Sequence, residues 1–120
     1  MKNAVAFLAV VVALSNAWSE NPQKGIDRQA IRAVISENIK TFEACYKRLL
    51  QKNPETYGKL EMKWEIIDGG KAQKARVVKS TISDSLFEEC MIAALVKLKF
   101  PEPPDEQVAE VSYPFIFSDK

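Results

Sequence analysis

The sequence predicts an α+β domain in which a three-stranded antiparallel sheet carries two helices on one face. Three observations predict it. Apolar residues recur at three- and four-residue steps between Asp27 and Pro54, the spacing of an amphipathic helix. Leu60, Met62, Trp64 and Ile66 alternate with Lys59, Glu61, Lys63 and Glu65, the period of a half-buried strand. A second helical stripe then leads to a last alternating stretch over residues 108–117.

The first seventeen residues have the layout of an address. Met1-Lys2-Asn3 is a short basic start, residues 4–14 carry no charge or strong polar group, and Ser15-Asn16-Ala17 places small residues before a cut at Trp18. That is the order of a secretory signal peptide. A retained membrane anchor is the other reading, but eleven helical residues cover only about 16 Å of a roughly 30 Å hydrocarbon core. The expected mature product has no stable membrane insertion and is periplasmic or secreted. Residues 18–26 read as a flexible lead, and residues 27–118 as a single domain.

Asp27 is the expected N-cap of the first helix. Ile31, Val34, Ile35, Ile39, Phe42, Cys45, Tyr46 and Leu49 form its stripe, interrupted only by Asn38, and Pro54 ends a run of about six turns. After the alternating strand, Asp68-Gly69-Gly70-Lys71 supplies the positive-φ residues of a tight hairpin. The return strand, residues 71–80, is less regular, with Ala75 and Val77 on one face and Arg76 and Val78 on the other. Ser83 or Asp84 caps the second helix, whose stripe is Leu86, Phe87, Cys90, Met91, Ala94, Leu95 and Leu98. Phe100-Pro101-Glu102-Pro103-Pro104 breaks it. The last strand places Val111, Tyr113, Phe115 and Phe117 on one side and Ser112, Pro114 and Ile116 on the other. Connectivity predicts the strand order 2-1-3, with residues 60–67 central and the last strand an edge, where Pro114 is tolerated.

Charge and composition exclude more than they assign. The chain has 17 basic and 16 acidic residues; loss of Lys2 with the leader leaves them equal. A neutral chain has no general electrostatic pull on nucleic acid or anionic lipid. Histidine is absent, which removes the commonest general base and zinc ligand. No metal site and no cofactor are expected. Glu88-Glu89 are neighbours on a helix and do not face one another. The Asp68-Gly69-Gly70-Lys71 segment lacks the glycine-rich entry to a helix that a phosphate loop needs. No nucleophile, base and oxyanion site can be assembled from these residues, so the chain is not expected to be an enzyme.

Cys45 and Cys90 each lie on the apolar stripe of their own helix, over one face of the sheet. In an exported chain that geometry favours a disulfide between them. The other reading is two core thiols.

The region from about residue 31 to 117 resembles the C-terminal domain of the gliding-motility proteins AgmX and PglI, and more distantly the C-terminal domain of TonB-type energy transducers. The resemblance rests on Cys45-Tyr46, Gly58, Asp68-Gly69-Gly70, Ser80-Thr81-Ile82 with Leu86 and Cys90, Phe100-Pro101-Glu102-Pro103 and Tyr113-Pro114-Phe115-Ile116-Phe117, in that order and spacing. It implies an α-β-β-α-β domain of two helices and three antiparallel strands. It also implies a periplasmic task, since TonB domains receive a peptide strand on their last strand. Transducers carry a retained anchor and a long proline-rich spacer. Here about ten residues separate the apolar run from the first helix, a reach of at most about 35 Å.

The expectation is a non-enzymatic binding module whose partner is an envelope protein or peptide segment of motility, secretion or transport machinery. Val111, Tyr113, Phe115 and Ile116 are the candidate partner-binding residues. The alternative is a self-associating structural subunit that pairs through the same strand.

Overall fold

The computed structural model describes residues 9–12 by their backbone, and residues 27–104 and 107–118. Apart from Ala9–Val12, the expected signal segment and the lead over residues 18–26 lie outside the described residues.

The long helix predicted after Asp27 is two helices. Helix α1 spans Arg28–Glu37 and helix α2 spans Ile39–Lys52. The Asp27 carboxylate caps α1 by accepting from the Gln29 amide at 2.9 Å. The break falls on Asn38, whose backbone lies at φ −115°, ψ 21°. Its amide turns to the Ile35 carbonyl, three residues back, while its side-chain amide donates to the Val34 carbonyl at 2.8 Å. A side chain has thus replaced a backbone donor in the helical ladder, an identifiable cause of a helix break. The polar exception in the stripe is the break. Ile31 and Ile35 of α1 and Phe42, Cys45, Tyr46 and Leu49 of α2 are buried. Asn53 and Pro54 end α2, with the Asn53 amide bonded to the Leu49 carbonyl.

Strand β2 (Gly58–Ile67) keeps its predicted period, and Leu60, Met62, Trp64 and Ile66 are completely buried. A 3-10 turn at Asp68–Gly70 leads to strand β3 (Lys71–Ser80). Between Met62↔Val77 and Glu61↔Lys79, and again between Lys63↔Arg76 and Glu65↔Gln73, β3 contains one residue more than β2. These are two bulges, and Lys74 at φ +58° belongs to the second. They blur the alternation of β3.

Helix α3 spans Ser85–Val96, and its N-cap is Asp84, which accepts from the Phe87 amide at 2.8 Å. Phe87, Met91, Ala94 and Leu95 are buried and Cys90 half-buried. Leu86, predicted in the buried stripe, is 65% exposed. Residues 86 and 87 stand about 100° apart on a helix, and Phe87 takes the inward position. The Phe87 amide, then Lys52 at 3.0 Å, hold the Asp84 carboxyl below its ordinary value. A lowered carboxyl contributes stability above the unfolded value near pH ~4, lost as pH falls through the folded value. Asp84→Asn keeps a cap acceptor but not the charge. Its stability should therefore fall less between about pH 5 and pH 2 than that of the unaltered chain. Urea midpoints across that range check this, and parallel profiles would contradict it.

Strand β4 (Ala109–Ser118) runs antiparallel to β2 in unbroken register from Gly58↔Phe117 to Ile66↔Ala109. Ala109, Val111, Tyr113, Phe115 and Phe117 point into the same core as the alternate residues of β2. All three helices therefore cover one face. Aromatic rings join α2 and α3 to the sheet: Phe42 lies 5.1 Å from Phe115, and Tyr46 and Phe87 lie 5.0 and 5.2 Å from Phe117, between centroids.

The sheet order is β1-β4-β2-β3, where β1 is Ala9–Val12. Strands β3, β2 and β4 stand in the predicted order, with β2 central. The expectation that the last strand is an edge is corrected along part of its length. Ala9–Val12 pairs antiparallel outside it, in the register Ala9↔Ser118 to Val12↔Phe115. Four residues of which three are β-branched valines suit a strand as well as an export core.

Candidate partner-binding edge

The chemistry of the site starts with what its side chains are already bonded to. Cys45 and Cys90 are joined as a disulfide, with their Cα atoms 5.8 Å apart. It ties α2 to α3 across the face they share, and Arg48 reaches to 3.9 Å from the Cys90 sulfur. Paired sulfurs hold no thiolate, so this pair is a fastener rather than a nucleophile. The Gly69 amide donates to the Glu102 carboxylate at 2.9 Å. An acid of the chain itself occupies the turn where a phosphate would have to sit. Among the described residues, no three His, Cys, Asp or Glu side chains are grouped to hold a metal ion. None of the described helices is long and apolar enough to cross a membrane.

The four candidate partner-binding residues divide by face. Val111, Tyr113 and Phe115 are buried in the core under the helices. Their side chains are unavailable to a partner, and only their backbone groups can take part in an added strand. Ile116 stands half-exposed on the opposite face, beside Pro114 and Ser112. Burial pushes the Tyr113 phenol up to about 12, against the opposing pull of Arg32 beside it.

No described helix covers that opposite face. On β2 it presents Glu61, Lys63, Glu65 and Ile67, all half-buried. Ser112 donates to Glu61 at 2.6 Å and Gln73 donates to Glu65 at 2.8 Å. Lys74 approaches Glu65 and Arg76 approaches Glu110, each at 3.8 Å. These exposed pairs contribute little each. They keep the open face polar around the apolar pair of Pro114 and Ile116.

The outer edge of β4 has two parts. Beside residues 115–118 lies β1, and beside residues 109–114 no described strand lies. Pro114 stands at the junction. It has no backbone donor, and its register position opposite Glu61 sits within an unbroken ladder. Sequence reasoning did not identify Ala9–Val12 as a strand. The signal was there in Val10-Val11-Val12, but a short β-branched run without a turn residue beside it names no partner.

No family model matches the chain, and no curated protein or solved structure matches it.

Proposed function

We propose that this chain is an exported, non-enzymatic protein-binding module of the bacterial cell envelope, and that β4 is its docking strand. The observation that carries the reading is the pairing of β4 with an extended segment on the side away from β2. An edge that takes one antiparallel strand has the geometry to take another, with affinity from main-chain hydrogen bonds and selectivity from side-chain positions on the open face. Ile116 and Pro114 are the apolar positions that β4 presents on that face. The disulfide supports an oxidising compartment, and the basic start, apolar run and small residues before Trp18 support export. The order of motifs from Cys45-Tyr46 to Tyr113-Pro114-Phe115 supports kinship with the AgmX and PglI domains and, more distantly, with TonB domains.

A photo-crosslinking amino acid at position 116, with a second chain carrying it at exposed Leu86 on α3, tests this in intact cells. A discrete adduct with an envelope protein is expected from position 116 and not from 86. Adducts of two copies of the chain would replace the reading with self-association, and identical patterns from both positions would remove β4 as the docking strand.

A further inference from the structure

We propose that the chain with its leader attached masks its own docking edge. Ala9–Val12 fills the strand slot beside residues 115–118, and the slot opens to an outside strand when the leader leaves. The inference rests on the docking role proposed for β4 and adds a regulation to it.

The register is the first argument. Ala9, Val10, Val11 and Val12 oppose Ser118, Phe117, Ile116 and Phe115 one for one, without a shift. These four residues of β4 include no proline, so each keeps its donor as well as its acceptor. The occupant is uncharged and rich in β-branched residues, which are favoured on a pleated surface.

Reach and concentration are the second argument. Fourteen residues separate Val12 from Asp27, a tether able to extend to about 50 Å. A segment tethered in this way is present at an effective concentration on the order of millimolar. A free partner at about 1 μM, making equivalent contacts, is then outcompeted roughly a thousandfold. Occupation also has a use while the leader is attached: an open sheet edge is a template for pairing with other chains, and Ala9–Val12 covers that stretch of β4.

The test compares the full chain with the full chain carrying Val10→Pro and Val11→Pro. Successive residues of a strand direct their N–H groups to opposite sides, so the double substitution removes one of the two donors that face β4, whichever parity they have. Hydrogen exchange is expected to speed up at least about tenfold at the outward amides of residues 115–118. The amides that β2 and β4 share should be unchanged, which also reports that the domain is folded. A lysine-flanked peptide of residues 8–13, labelled for anisotropy, should bind the substituted chain and not the unaltered one. Equal exchange and equal peptide binding in the two chains would overturn the masking. If the β2 amides lose protection, Val10→Lys with Val11→Lys replaces the prolines, with the same two outcomes. Masking that holds while position 116 captures no envelope protein would instead remove the docking role and leave the strand contact standing.

Discussion

A chain with Cys45→Ala and Cys90→Ala is expected to lose about 3 kcal/mol of stability. The bond joins residues 45 apart, and constraining a loop of that length in the unfolded chain gives roughly 4 kcal/mol in the chain-entropy account, with measured values commonly lower. For a domain of this size the loss corresponds to a fall in melting temperature of about 15 °C. Alanine fits both sites without overfilling, because Cys45 is buried and Cys90 half-buried. Thermal unfolding of the unaltered chain, with and without reductant, should reproduce the difference. The alanine chain should not respond to reductant at all. A fall of less than about 3 °C would mean that the aromatic contacts of Phe42, Tyr46 and Phe87 hold the helices to β4 unaided.

The same substitution bears on the docking edge proposed for β4. The inner side of residues 115–117 is backed by Phe42 and Tyr46 from α2 and by Phe87 from α3. The disulfide fixes those two helices to one another. Loosening it leaves the added strand resting on a β4 whose support has more freedom, so strand binding should weaken before the domain unfolds.

Which features could be read beforehand follows from how local their cause is. The alternation of β2 is a statement about one strand between a core and an open face, and its four inward residues are completely buried. Asn38 was visible as a polar residue on an apolar stripe. That it breaks the helix depends on its side chain reaching the Val34 carbonyl, a choice of rotamer that spacing does not encode. Leu86 shows the converse. Apolar residues stand nearly all round α3, so periodicity does not say which side meets the sheet, and Phe87 rather than Leu86 faces inward. In β3, two extra residues put the alternation out of phase.

The site was legible in part for the same reason. The last strand could be placed beside β2 from connectivity, and the inward direction of Val111, Tyr113 and Phe115 follows from their alternation. Their burial moves the candidate contact from side chains to backbone, with Ile116 as the outward apolar position. The strand formed by Ala9–Val12 required knowing which remote segment it meets. Three valines fit an export core and a β-strand equally well, and only the register against residues 115–118 distinguishes the second.

Gly70→Ala is expected to destabilise the domain by about 3 kcal/mol or more, and Gly69→Ala by only about 1 kcal/mol. Both glycines lie at positive φ, +79° and +82°, so the backbone penalty for adding a Cβ is similar at each. Their surroundings differ. Around Gly69 nothing lies within 4 Å of an added Cβ, and its amide can still donate to Glu102. An added Cβ at Gly70 would stand 2.0 Å from the Phe100 carbonyl oxygen. That oxygen belongs to the backbone and cannot swing aside, because the Phe100 amide is itself bonded to the Gly70 carbonyl at 2.9 Å. The two chains must separate, which breaks this bond and draws the Phe100 ring away from Trp64, now 5.6 Å distant between centroids. Urea midpoints of the two variants give the comparison directly. Equal losses would mean that positive φ alone requires glycine in this turn. A loss confined to Gly70 would identify the close approach of the residue 99–104 connection as the reason, and with it the way β4 is delivered to its place beside β2.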